Sequence, residues 1–306
     1  MRFSLILASR MTNVTNMADD ARSLRLDDGR VLAWDEWGNP GGFPILYAHG
    51  TPGSGREAQL LDHAARDLDL WIIAPHRPGY GGSTHLPGRS VLEWAEDAHV
   101  LADHLGLDRL ALLGFSGGGP HAIAFALRYP SRVSAAGLIA SAGAPSGPGA
   151  LLARLGWSVG MPALAALLGL PRVVGLPSAG RRAVARFKSS RRTNRVASIV
   201  AESLDTAVGQ GPSGLRGAIR DSWAIYAPWA KYLNWNPPHT PQFLLWHGAD
   251  DTTVKPDISH RLSKALAGSK LTILPGVGHM DALTDHAAQI LTELKEAAVG
   301  DRRLGN

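Results

Sequence analysis

The chain has 306 residues, 45% hydrophobic and 19% charged, with 35 Gly and 20 Pro. That is the profile of a folded globular protein, long enough for one large domain with an insertion, and it excludes small stapled scaffolds and disordered or fibrous chains. There is no Cys, so disulfides, thiolate metal sites and cysteine nucleophiles are excluded and covalent chemistry falls to oxygen or nitrogen. A net charge of +5 points to nucleic acid or an anionic surface only if the basic residues share one element.

The N-terminal MRFSLILASR carries a hydrophobic run, Phe3 to Ala8, shorter than the roughly 7–15 residues of an export-signal core. Residues 1–22 are therefore expected as a disordered or extended start, and the protein as cytoplasmic. Ser23 to Trp37 alternates apolar and polar residues around Asp28-Gly29, which predicts an antiparallel hairpin. Short apolar runs follow at 43–50, 68–79, 109–118, 132–141, 241–250 and 269–279, the form of strands buried on both faces. Helical patterns at Val91–Leu105, Pro120–Tyr129 and Leu283–Ala298 lie between or after them. The alternation predicts an α/β fold with a mainly parallel sheet and helices on both faces, spanning 23–144 and 240–300 with a tail at 301–306.

That alternation stops at 145–239, where no buried-strand run occurs and Pro and Gly punctuate helical stretches such as Ala150–Leu155, Met161–Leu168 and Arg181–Lys188. A structureless loop of that length would be exceptional, so an inserted helical cap is predicted. The charge-free stretch from Val133 to Ala153 is broken by Gly143, Pro145, Gly147, Pro148 and Gly149, which argues against a transmembrane span. The insertion holds twelve Lys or Arg against Glu202, Asp205 and Asp221, so the positive charge of the chain resides there and the remainder is net negative. These charges read either as a solvated helix face or as an attraction for an anionic substrate, an acidic partner or a membrane touched peripherally. No nucleic-acid-binding module accompanies them, and no nucleic acid is expected.

The strongest local signal is Gly114-Phe115-Ser116-Gly117-Gly118, a G-x-S-x-G pattern at a strand-to-helix junction. A serine on such a turn takes strained dihedrals and is lifted above the sheet, beside the N–H groups of the following helix. A serine hydroxyl needs a base and an acid that orients the base. His279 follows the last strand in a glycine-flexed loop and fits the base best. His286 reads as a solvated or packed helix residue, His49, His76 and His247 as polar rim residues, and His121 as a buried neutral side chain.

The acid is expected after the preceding strand, where Asp250 and Asp251 are adjacent; Asp251 is assigned to it and Asp250 to an exposed or turn-capping role. The order Ser…Asp…His matches this topology. Two oxyanion donors are also needed, and the N–H groups of Gly117 and Thr51 are the candidates, the latter in the loop His49-Gly50-Thr51-Pro52-Gly53, which could also be no more than a tight loop. Aromatic residues recur every third position at Trp223, Tyr226 and Trp229, continuing to Tyr232 and Trp235. They either line an apolar acyl pocket or pack the cap on the core. No P-loop, H-E-x-x-H or dinucleotide fingerprint occurs, so no cofactor and no metal is expected.

Taken together, HGTPG, HRPGYGGS, GFSGGGP, HGADDTTV and GVGH resemble the α/β-hydrolase fold family in order and spacing over about 23–300, with the cap matched by position alone. The resemblance implies an eight-stranded sheet and a capped serine hydrolase of the esterase, peptidase and haloperoxidase-like group. At matching positions it implies nucleophile Ser116, acid Asp251, base His279 and oxyanion amides at Thr51 and Gly117. The activity it implies is cofactor-independent cleavage of a carboxylic ester or related acyl bond in a small molecule. Iminopeptidase, haloperoxidase or perhydrolase, C–C bond hydrolase and non-catalytic ligand-binding readings remain as alternatives. Three positions depart from relatives of this group. Ser116 stands where dehalogenases and epoxide hydrolases have Asp, Thr51 interrupts the HGGPG of proline iminopeptidases, and His76 replaces an Asp before Arg-Pro-Gly.

Overall fold

In the computed structural model, which describes residues 22–143, 191–208 and 212–304, eight strands form one sheet. They are β1 Arg22–Arg25, β2 Val31–Gly38, β3 Phe43–Ala48, β4 Leu70–Pro75, β5 Leu110–Phe115, β6 Val133–Ile139, β7 Gln242–Gly248 and β8 Lys270–Leu274, ordered β1-β2-β4-β3-β5-β6-β7-β8. The pairs β1–β2 and β2–β4 are antiparallel and the others parallel. The opening hairpin turns through three residues, because Leu26 N–H bonds to Arg30 O and Gly29 takes φ of 84°. The Asp-Gly dipeptide thus serves a longer turn than the two-residue loop it predicts.

The central strands read as continuous apolar runs because both faces are covered. Ile45 and Tyr47 of β3, Leu113 of β5 and Trp246 of β7 face one cluster, and Leu46, Leu112 and Leu245 face the other. Helices α2 (Val91–His104) and α3 (Gly119–Arg128) pack on the second side, and α1 (Asp62–Asp67) and α8 (Ala287–Leu304) on the first. Helix α2 opens with a capping box in which Ser90 accepts from the Leu92 amide and Glu93 reaches back to the Ser90 N–H.

The three helices named for the cap and the expected disordered start lie outside the described residues, apart from Arg22, which opens β1. Within the insertion the structure describes α4 (Arg191–Val208) and α5 (Pro212–Ile225), followed by a 3-10 turn at Trp229–Tyr232. Helix α6 (Asp257–Ala265) follows β7, and the expected last helix is divided into α7 (His279–Thr284) and α8.

Candidate active site

Ser116 follows β5 directly and adopts φ of 52°, the left-handed conformation that ordinary side chains avoid. The glycines around it are dictated by space. A Cβ on Gly114 would come within 2.9 Å of Gly118 O and Gly119 Cα, and one on Gly118 would overlap the carbonyl of Ala48. The turn is therefore clamped between β3 and α3, and the hydroxyl is held at the C-terminal edge of the sheet.

His279 Nε2 lies 3.0 Å from Ser116 Oγ, and its Nδ1 lies 2.6 Å from Asp251 Oδ2. The carboxylate can only accept, so Nδ1 carries the proton and the Nε2 lone pair faces the hydroxyl. His279 is not in a loop, as expected, but is the first residue of α7, with Gly278 as N-cap. Asp251 is buried, and its Oδ1 accepts the N–H groups of Thr253 and Val254 at 2.8 and 2.9 Å, while Oδ2 faces the His279 imidazole and lies 3.2 Å from His247 Nε2. Asp250 is exposed. The structure thus brings together the three side chains that come from distant parts of the sequence.

His49, His76 and His247 are not rim residues but are buried to 1% exposure or less. Each satisfies the main chain beneath the site. His247 donates from Nε2 to Val254 O at 2.8 Å and accepts at Nδ1 from Ser259 Oγ at 2.6 Å, and burial lowers its pKa, so it underlies Asp251 as a neutral ring. His49 donates from Nδ1 to Gly50 O and accepts the Arg77 N–H at Nε2. His76 accepts the Gly55 N–H at Nδ1, and burial, with the charge of Arg56 nearby, lowers its pKa to about 3. Fully buried His121 donates from Nδ1 to Gly117 O at 3.0 Å, and His286 precedes α8 and bonds to Gln289.

The Thr51 side chain lies against Gly117, since a Cβ there would stand 2.7 Å from Thr51 Cβ. The loop carrying Thr51 is fixed from below by buried Glu57, whose Oε1 accepts the Gly50 N–H and the Tyr47 hydroxyl at 2.9 and 2.7 Å. Beside Ser116 lies a cavity lined by Thr51, Gly117, Ala142, Ile225, Tyr226 and Val254. Burial raises the Tyr226 pKa to about 12, so the ring presents a neutral phenol.

Of the aromatic triplet, Tyr226 alone lines this cavity; Trp223 is 40% exposed, and Trp229 is buried in the core, its Nε1 donating to Ile225 O. Helix α5 ends at Ile225, so spacing by threes no longer defines a common face beyond it.

Sequence reasoning missed a buried ionic cluster beside the cavity. Asp221 of α5 is fully enclosed, with Oδ1 2.6 Å from Arg89 Nη2 and Oδ2 2.6 Å from Arg77 Nη2, and it also accepts from the Tyr80 hydroxyl at 3.2 Å. Burial would raise the carboxyl, but the two guanidiniums outweigh it and hold the pKa well below the usual carboxylate range. The legible hint is an acid among many bases in the cap and two arginines in the HRPG and PGRS segments. Among the described residues no group of three or more His, Asp or Glu is arranged to hold a metal ion.

The profile of the alpha/beta hydrolase fold family matches residues 44–285, and the chain belongs to that family. Over 116 residues it is 38% identical to the dihydrolipoyllysine-residue acetyltransferase component of the acetoin cleaving system of Pseudomonas putida, covering 38% of this chain and 31% of that one. It is 33% identical over 110 residues to the proline iminopeptidase of Xanthomonas citri, 34% of each chain. The chain thus spans about a third of the length of the curated relatives it matches. A thermophilic esterase from Thermogutta terrifontis superposes with a TM-score of 0.67 at 20% identity, covering 91% of this chain and 99% of that one, a likeness of fold.

Proposed function

We infer that the protein is a cofactor-independent serine hydrolase that cleaves a carboxylic ester or related acyl bond of a small molecule. The observation that carries this reading is the unbroken line of hydrogen bonds from Ser116 Oγ through His279 to Asp251, opening on a cavity whose described lining has no charged side chain. Relatives named as iminopeptidases and a structural neighbour named as an esterase agree with it.

In this mechanism His279 Nε2 takes the proton as Ser116 Oγ attacks the carbonyl, and Asp251 stabilises the imidazolium through Nδ1–H. The N–H groups of Gly117 and Thr51 receive the oxyanion, each contributing about 2.7–4 kcal/mol to the transition state. His279 then protonates the leaving alkoxide or amine. Water, deprotonated by the same imidazole, attacks the acyl-enzyme, and the carboxylic acid leaves with Ser116 restored.

The test is labelling by a fluorophosphonate together with p-nitrophenyl ester turnover. Wild type takes up one label at Ser116 and hydrolyses the ester; Ser116→Ala does neither while retaining its circular dichroism spectrum. Turnover by Ser116→Ala within tenfold of wild type would remove Ser116 as nucleophile.

A further inference from the structure

Thr51 and Asp221 are 170 residues apart in the sequence, yet their side chains meet. Thr51 Oγ1 donates to Asp221 Oδ2 at 2.7 Å and accepts from Arg77 Nη2 at 2.8 Å, so two opposed bonds fix its rotamer. Arg77 also donates to the carbonyls of His49 and Gly50 in the same loop. Helix α4 holds the other end of that loop, where Ser203 Oγ accepts the Ser54 N–H at 2.9 Å. Two cap helices therefore grip residues 51–54, and the Thr51 side chain they orient is packed on Gly117.

We propose that Asp221 is a positioning residue for acyl transfer: acting through the Thr51 hydroxyl and Arg77, it sets the Thr51 amide beside that of Gly117, so the oxyanion site is completed by docking of α5. This rests on the serine-hydrolase reading above. Donors stabilise a developing oxyanion only if they are aimed before the reaction, and a loop rich in Gly and Pro has no internal ladder to aim them. Here the aim comes from a buried carboxylate on a different segment. Loss of such a role weakens transition-state stabilisation while leaving ground-state binding in place, which separates it from a general structural role.

The experiment uses the full chain with p-nitrophenyl butyrate, a trifluoromethyl ketone that forms a tetrahedral adduct with Ser116, and the matching methyl ketone as a ground-state ligand. Thr51→Val keeps the shape and the amide but removes the hydroxyl. It is expected to lower kcat about tenfold to hundredfold, to leave KM and methyl ketone affinity within about threefold, and to weaken the trifluoromethyl ketone by the same factor as kcat/KM. Thr51→Ser, which restores the hydroxyl, recovers most of that loss. Asp221→Asn reproduces Thr51→Val, and the double variant is no worse than either. If Asp221→Asn fails to fold because two guanidiniums lose their counter-charge, the comparison of Thr51→Val with Thr51→Ser decides the matter.

A Thr51→Val enzyme with wild-type kcat overturns the proposal, as does a kcat loss with unchanged trifluoromethyl ketone affinity. In both cases fluorophosphonate labelling of wild-type Ser116 leaves the hydrolase reading standing. Absence of that label overturns the hydrolase reading and the proposal with it.

Discussion

His279 Nδ1 is 2.6 Å from Oδ2 of Asp251, and the other oxygen of that carboxylate is held by two backbone amides. The neighbouring Asp250 is exposed. Replacing Asp251 by Asn would put an amide where the imidazole needs an acceptor and favour the wrong tautomer. Asp251→Asn is expected to lower kcat by about 10³–10⁴, whereas Asp250→Asn stays within about threefold. Steady-state ester hydrolysis by both variants checks this, and equal losses would move the acid elsewhere.

The glycines after Ser116 are required by the space around the turn. A Cβ at Gly118 would overlap the Ala48 carbonyl and stand 2.7 Å from His49 O, both rigid main chain. Gly118→Ala should therefore cost about 3 kcal/mol or more of stability, read from urea unfolding. At Gly117 a Cβ would stand 2.7 Å from Cβ of Thr51, whose side chain Asp221 and Arg77 hold in place, and 3.1 Å from Ile225. Gly117→Ala should therefore lower the unfolding midpoint and lose at least about tenfold in kcat, because relieving the contact displaces Thr51.

Acid should destabilise the protein through its buried imidazoles. The Gly55 N–H points at His76 Nδ1, and protonating that nitrogen replaces an acceptor by a second donor. With a folded pKa of about 3 against about 6.5 unfolded, the unfolded chain binds the extra proton between those values. The contribution of His76 is therefore complete above about pH 6.5 and is lost as pH falls toward 3, with the Asp35 carboxylate, 3.3 Å from Nε2, opposing part of that loss. Buried His49 and His121, also lowered by desolvation, act in the same direction. In urea unfolding at a series of pH values, His76→Gln should flatten the slope of stability against pH between pH 6 and 4. An unchanged slope would show that His76 is protonated in the folded state.

The sheet and the Ser116, Asp251 and His279 constellation were legible because buried parallel strands leave dense apolar runs and each of the three residues follows one of them. The cap was legible as an interruption only. Helix α4 buries Ala197, Ile199, Ala201, Ser203 and Ala207, and the small ones allow close approach to the loop at Ser54. The pairing of Asp221 with Arg77 and Arg89 joins segments more than 130 residues apart through charge alone, and neither periodicity nor a motif announces it. His49, His76 and His247 read as rim residues because their polar type suggests solvent, whereas hydrogen bonds to nearby loops allow them to be buried.

On the serine-hydrolase reading, the surroundings of the cap acids bear on whether a cationic substrate is accepted. An enzyme that takes a free amino terminus must desolvate an ammonium group near the nucleophile, which requires a carboxylate with charge to spare. Asp221 is nearest in the fold, on the helix that carries the cavity residue Ile225, but it is enclosed and already matched by two guanidiniums. Glu202 is half exposed and lies 4.0 Å from Arg56. Neither Glu202 nor Asp205 lines the cavity beside Ser116. Neutral or anionic acyl substrates are therefore expected to be cleaved faster than substrates with a free amine. The comparison is p-nitrophenyl butyrate, N-acetylproline p-nitroanilide and proline p-nitroanilide. The two anilides share a leaving group, so their ratio isolates the ammonium, and kcat/KM should favour the acetylated one by at least tenfold. Repeating it at about 0.1 and 1 M salt, where the screening length falls from about 10 to 3 Å, should narrow any part of that ratio due to the exposed cap arginines and leave the part set by desolvation. Faster cleavage of proline p-nitroanilide would overturn the esterase reading in favour of an iminopeptidase.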